Sequence, residues 1–187
     1  MLADSPTLTL PDPVADQPCE TTEEFNRGAR HLANGVAVIT ACDERGARAG
    51  VTSTGLCTLG AEPPTLLVCV PRHTGLGGLL PRVRRFAVNA LSRRQRDIAE
   101  AFAGLRQGDR FGYGRWSVAG AGSPMVAGAL ASFECAVDLL YAYPKHLIVV
   151  GTVRTVIRTP DPEGPLVYSS GQFGRLELAG AAARPAP

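Results

Sequence analysis

Residues 131–159 read ASFECAVDLLYAYPKHLIVVGTVRTVIRT. Apolar, β-branched and aromatic residues dominate on both sides of one interruption, Tyr143-Pro144-Lys145. Such side chains fit a pleated sheet, whereas a proline cannot donate into a strand ladder. The stretch therefore predicts two long strands, 131–143 and 146–159, joined by a tight connection. Strands linked so briefly must run antiparallel, because a parallel pair needs a crossover of a dozen or more residues.

Working outward, the same pattern recurs. GVAVITAC at 35–42 predicts a strand, Asp43-Glu44-Arg45-Gly46 a hairpin turn, and 47–54 the returning strand. Glu62-Pro63-Pro64 is a rigid break before TLLVCV at 65–70, an apolar run expected in the centre of a sheet. FAVNAL at 86–91 is another strand, and LVYS at 166–169 a short last one before Gly171-Gln172-Phe173-Gly174. Helices are few. Thr21 with Glu24 forms a capping-box pattern, followed by Phe25, Ala29 and Leu32 at helical spacing, with Asn34-Gly35 as the stop. A short helix is expected after Gly75. Ser92 with Gln95 repeats the capping box and opens the clearest helix, 93–103, burying Ile98, Ala99 and Phe102. The expected fold is mainly β, with about seven antiparallel strands closing into a barrel and two or three peripheral helices.

A chain of 187 residues is one domain's worth, and 45% hydrophobic against 19% charged residues is a globular balance. We expect a mobile arm at 1–20, one domain at 21–178 and a mobile tail at 179–187. The net charge of +2 is small and its arginines are scattered, which excludes a concentrated nucleic-acid face. No apolar run is long enough for a membrane-spanning helix, and the N-terminus lacks the basic start and apolar run of a secretory signal. The five cysteines are far apart with no CxxC pair, so they are expected as reduced thiols in a cytoplasmic protein, mostly packed as small apolar groups. With three histidines and no ligand spacing, no metal site is expected.

GxGxxG, P-loop, HExxH and GxSxG motifs are absent. Asp43, Asp97, Asp109 and Glu134 are unassigned carboxylates, read as solvated charge or helix partners. The chemistry-bearing segments are elsewhere. Thr52, Ser53, Thr54 and Gly55 put clustered hydroxyls and turn N–H groups at a strand end, where they can donate to a phosphate or a heterocycle edge. The same cluster is also ordinary turn chemistry. Pro71-Arg72-His73-Thr74-Gly75 leaves an apolar strand just before a helix, so Arg72, Thr74 and the helix start could hold an anion or merely face solvent. Asn89 lies inside an apolar strand and either ties down backbone or reaches a ligand. His146 opens a long strand after a sharp turn, a place from which a side chain can enter a cleft.

Taken in order, the core LANGVAVIT, then GVTSTGL, EPPTLLVCV, FAVNALS with RRQRDIAEAFA, HLIVVGTV and GQFGRL resemble the flavin reductase family that serves two-component monooxygenases. The resemblance spans 25–176. It implies an FMN-binding split β-barrel, Greek-key in character and homodimeric, with flavin near the subunit interface. It places Thr52, Ser53, Thr54 and Gly55 along the isoalloxazine and phosphate chain. Val70, Pro71, Arg72 and Thr74 fall at the ribityl-phosphate end, with Asn89 among the cofactor contacts and Phe173 near the ring. His146 stands beside the docking place of NADH or NADPH as the catalytic candidate, and Lys145 can attract the dinucleotide's phosphates. Three departures from the family pattern stand out: Pro144-Lys145 replaces Gly-Asp, Gly55 replaces a serine, and His73 and Leu76 replace hydroxyl residues. The implied activity is hydride transfer from the nicotinamide to FMN or FAD, with reduced flavin passing to a monooxygenase. The alternative is a flavin-binding protein of the same fold with weak or lost nicotinamide use, either delivering flavin or acting on its own organic substrate. Pyridoxamine-phosphate oxidase or haem relatives would need basic clusters or an axial ligand that the sequence lacks.

Overall fold

The computed structural model describes residues 22–118, 122–160 and 164–177. The expected arm at 1–20, the Thr21 cap and the tail at 179–187 lie outside these residues. Three α-helices and twelve strands, several very short, make up the described chain. Every strand pair is antiparallel.

The opening stretch does form the two longest strands, β9 (Ala131–Tyr143) and β10 (His146–Arg158), with Pro144-Lys145 as a two-residue connection. They anchor a seven-stranded sheet with β2 (Ala37–Cys42), β3 (Arg48–Ser53), β4 (Leu56–Ala61), β5 (Pro64–Pro71) and β6 (Arg85–Ala90), in the order β3-β2-β6-β9-β10-β5-β4. Strands β3 and β4 follow each other in sequence yet sit at opposite ends of that order, so the sheet rolls round on itself. Closure comes from Ser53, whose Oγ donates to the Cys69 carbonyl at 3.3 Å. With the Cys69 N–H, which donates to the Gly55 carbonyl at 2.8 Å, this side-chain bond spans the gap where a strand ladder would complete the barrel.

The interior is filled by Ile39, Val68, Val70, Leu76, Leu80, Phe86, Val88 and Val149. A second cluster, with Val38, Leu91, Ile98, Phe102 and Leu166, lies outside β2 and beneath α3 (Arg96–Phe102). Strand β2 reads as a nearly unbroken apolar run because both its faces are covered, one by the barrel and one by α3. The Ser92–Gln95 capping box is present, and a short 3-10 turn precedes the α-helical part.

Four expectations change. Helix α1 (Thr22–Ala29) stops before Leu32 and buries none of its residues; Phe25 is 69% and Leu32 64% exposed. Its apolar spacing is real, but among the described residues nothing buries it. Asn34–Gly35 is a strand, β1, paired with β11 (Leu166–Ser169) rather than a simple helix stop. Strands β4 and β12 (Gln172–Arg175) were not expected. β4 is an exposed edge with weak alternation. β12 pairs with β11 through Ser170-Gly171, both at positive φ (53° and 79°), the turn that matches strand twist. Of the described cysteines, Cys135 is buried but Cys57 is exposed, so they are not uniformly core residues.

Candidate functional site

Two concavities flank the C-terminal end of β5. The first, of about 270 Å³, is lined by Thr52, Thr54, Ala103, Leu105, Tyr168 and Phe173. Its hydroxyls are unequal. The Thr52 Oγ1 donates to the Ala99 carbonyl at 2.7 Å, fastening β3 to α3. Ser53 is buried, and its Oγ accepts from the Gly55 N–H at 3.1 Å while bonding Cys69. Among the described residues, the half-buried Thr54 has no hydrogen-bond partner for its hydroxyl. The opposite wall is aromatic: the Tyr168 and Phe173 rings meet edge-on, 5.1 Å apart, and the Arg96 guanidinium lies 5.7 Å from the Phe173 ring.

The second concavity, of about 550 Å³, lies between two loops and is lined by Pro71, Arg72, His73, Pro144, Lys145 and His146. The loops are joined: the Arg72 N–H donates to the Lys145 carbonyl at 3.0 Å, and its Nη1 to the Pro144 carbonyl at 3.3 Å. Thr74 is fully occupied as the N-cap of α2 (Gly75–Val83), accepting from the Gly77 N–H at 3.1 Å and donating to the Pro71 carbonyl at 2.8 Å. Glycine is required at 77, since a Cβ there would sit 2.5 Å from the Pro71 oxygen. His146 pairs across the ladder with Pro71 and Tyr143 and is exposed.

Register fixes how the two relate. Gly55 accepts from the Cys69 N–H at 2.8 Å, Cys69 is opposite Ile148, and His146 lies two residues before Ile148 at the start of β10. Two strand spacings and two residues of rise put the 54–55 turn and His146 about 12 Å apart. The same register gathers an outward-facing apolar surface beside them: Leu67 opposite Val150 opposite Leu139, then Cys69 opposite Ile148 opposite Tyr141. Leu139 and Tyr143 are 55% and 56% exposed. Burial, then the neighbouring Cys57, pushes the Cys69 thiol up, so it lines the turn as a neutral group rather than a nucleophile.

The expected site residues thus divide. Thr52, Thr54 and Phe173 share one concavity; Pro71, Arg72, Lys145 and His146 share the other, with Gly55 between them. Asn89 is corrected: fully buried, its amide donates to Val38, Thr40 and Pro124 and accepts from the Val126 N–H and the Ser132 hydroxyl. It reaches no cavity. Val70 is likewise a core side chain, and the Ser53 and Thr74 hydroxyls are consumed within the fold. Ala103, Leu105 and Tyr168 were missed; the alternation in LVYS marks Tyr168 as a residue of β11 but not as facing a groove. Among the described residues, no group of three or more histidine, cysteine, aspartate or glutamate side chains could hold a metal ion.

An open hydroxyl, an aromatic wall and paired cationic loops, with no acid–base dyad, suit a protein that positions planar, phosphate-bearing molecules rather than one that transfers protons. The chain belongs to the flavin reductase like domain family, whose model matches residues 29–177. It is 39% identical over 168 residues to a flavin reductase (NADPH) from Lentzea aerocolonigenes, covering 81% of this chain and 95% of that one. It is 35% identical over 167 residues to the FMN reductase (NADH) RutF of Stutzerimonas stutzeri strain A1501, covering 84% and 92%. In three dimensions it is similar to a nitrilotriacetate monooxygenase component B homologue from Mycobacterium thermoresistibile, with a TM-score of 0.77, 27% identity, and 88% and 90% of the two chains covered.

Proposed function

We infer that this chain is an NAD(P)H:flavin oxidoreductase that passes hydride from NADH or NADPH to FMN or FAD. The observation that supports the mechanism is the adjacency of the two concavities across the β5–β10 register, which puts the 54–55 turn and His146 about 12 Å apart. When bound together, the nicotinamide supplies a hydride and the flavin accepts it. The protein's share is alignment.

The open Thr54 hydroxyl holds the polar edge of the flavin. Tyr168, Phe173 and Leu105 cover its apolar part, and Arg72 answers its phosphate. His146 hydrogen-bonds the nicotinamide carboxamide and sets the ring's distance, with Lys145 drawing in the dinucleotide's phosphates. No general base is needed, because hydride leaves with its electron pair.

The proposal extends to a homodimer that hands reduced flavin to a flavin-dependent monooxygenase in the cytoplasm. Support for the dimer is the exposed apolar face around Leu67, Ile148 and Leu139, which adjoins the site and needs covering. Light scattering at micromolar concentration is expected to give twice the chain mass, and Leu139→Glu to give a monomer; a monomeric parent overturns this part. Support for the partner is the similarity to a monooxygenase component.

A second reading, a flavin carrier without efficient nicotinamide use, is favoured only by Pro144-Lys145 standing in the nicotinamide-side turn. Steady-state oxidation of NADH and NADPH by the purified chain, with and without FMN, separates the two. Flavin-dependent turnover is expected; tight flavin binding with background oxidation would sink the reductase assignment.

A further inference from the structure

The two walls of the flavin concavity come from separate elements. Tyr168 and Phe173 face each other across β11 and β12, and among the described residues β12 pairs with β11 alone. Ala103 and Leu105, on the other wall, follow α3. No strand ladder joins these walls, and side chains of α3 bridge them instead. The Arg96 guanidinium lies 5.7 Å from the centre of the Phe173 ring, within the range of a cation–π contact. Its Nε donates to Glu100 Oε1 at 2.7 Å. The other carboxylate oxygen, Oε2, accepts from Arg106 Nε at 2.9 Å, and the Glu100 carbonyl accepts from the Leu105 N–H, also at 2.9 Å. Glu100 therefore ties both walls to one turn of helix. A lone exposed ion pair contributes little, whereas a carboxylate shared between two arginines is a small network. Hydrogen bonds from Arg96, then from Arg106, hold the Glu100 carboxyl below its ordinary range, so the brace stays charged into mildly acidic solution.

We propose that Arg96 is a positioning residue for flavin binding: held by Glu100, it fixes the Phe173 ring in the orientation that receives the isoalloxazine. The inference rests on the flavin-site reading above and deepens it. Arg96 acts through the ring and not on the flavin phosphate, which Arg72 answers. An aromatic side chain free to turn must be ordered when flavin binds, and one already held need not be. The affinity gained is that difference.

The test uses the full chain and reads flavin affinity by fluorescence titration without nicotinamide, so it does not depend on turnover. Arg96→Gln is expected to raise the Kd for FMN about two- to fivefold, the size of a partly exposed cation–π contact. The Kd for riboflavin, which has no phosphate, rises by the same factor. Arg96→Lys keeps a cation at the ring and retains most of the affinity. In a Phe173→Leu background, Arg96→Gln changes nothing further. Arg27→Gln breaks a similarly exposed pair with Glu23 in α1 and leaves the Kd where it was. In turnover the loss falls on the KM for flavin rather than on kcat. An effect with FMN but none with riboflavin makes Arg96 a phosphate ligand and overturns the proposal. So does an undiminished effect in the Phe173→Leu background, or no effect at all. A chain that shows the whole pattern yet fails to oxidise NADH or NADPH upholds the brace and removes the reductase assignment. A chain that binds no flavin overturns both.

Discussion

The 52–55 turn and the Arg72–His146 clamp both border β5, yet they use polar groups in opposite ways. In the turn, two of three hydroxyls are spent on the fold: Thr52 holds α3 and Ser53 closes the barrel. Only Thr54 remains open. In the clamp, backbone does the holding, through the Arg72 N–H to the Lys145 carbonyl, and the charged side chains are left facing the cavity. A cluster of hydroxyls in a sequence therefore overstates how many can meet a ligand, whereas a proline-bounded loop with cations understates it. Structural atoms must be subtracted before a site is counted.

That contrast can be broken by substitution. The largest effect belongs to a residue that is wholly structural. Asn89→Ala strips partners from the Val126 N–H and the Ser132 hydroxyl and from three buried acceptors, the Val38 and Pro124 carbonyls and the Thr40 hydroxyl. Each orphaned group costs about 1–3 kcal/mol, so a drop in unfolding free energy of about 3 kcal/mol or more is expected by urea titration. Flavin affinity of the fraction still folded should not change. Ser53→Ala comes next, with a loss near 1–2 kcal/mol in the same titration, since the corner bond and the Gly55 acceptor both go. Its flavin affinity should fall as well, because the turn loses its anchor. Thr54→Val is smaller and of the opposite kind. It is expected to weaken flavin binding by about 0.5–1.5 kcal/mol while leaving the denaturation midpoint within error. Thr52→Val should do the reverse, and equal effects from the two would erase the distinction between them.

The smallest effect lies outside both regions, and its sign is set by burial. Glu134 is half-buried with its carboxyl raised above the ordinary range, chiefly by desolvation, against the Ser123 hydrogen bonds and the charge of Arg85. The folded state holds that proton more tightly than the unfolded one. Its contribution to stability is thus full below the ordinary glutamate pKa and is lost as pH rises through the folded value. Glu134→Gln should flatten the pH dependence of stability across that window. A parent whose stability climbs there, with no change in the variant, would contradict the assignment.

Much of the fold was legible because it rests on local signals. Period-two apolar runs, the Asp43–Gly46 turn, the Ser92–Gln95 box and Pro144-Lys145 each dictate their own geometry. Strand β4 escaped because an exposed edge imposes little pattern, and α1 misled because its apolar stripe has no cover among the described residues. For the site, Thr54, Arg72, Lys145 and His146 could be named from turns and strand ends. Tyr168 and Leu105 could not, since their meeting with β3 depends on β11 and the segment after α3 folding across the barrel, a contact no local pattern encodes. Asn89 illustrates the converse, because a buried amide in a strand has one sequence signature whether it serves the fold or a ligand.

The central claim is that the turn binds flavin and the clamp presents the nicotinamide. Stopped-flow reduction of bound flavin in the parent, Thr54→Val and His146→Ala, beside flavin titrations of all three, tests it most directly. The account predicts a crossed result. His146→Ala slows reduction about tenfold to a hundredfold, roughly 1.4–2.8 kcal/mol of barrier, with flavin affinity nearly intact. Thr54→Val weakens flavin binding and, once flavin is saturating, reduces at close to the parental rate. A His146→Ala variant that reduces flavin as fast as the parent, or one that loses flavin binding instead, would contradict it.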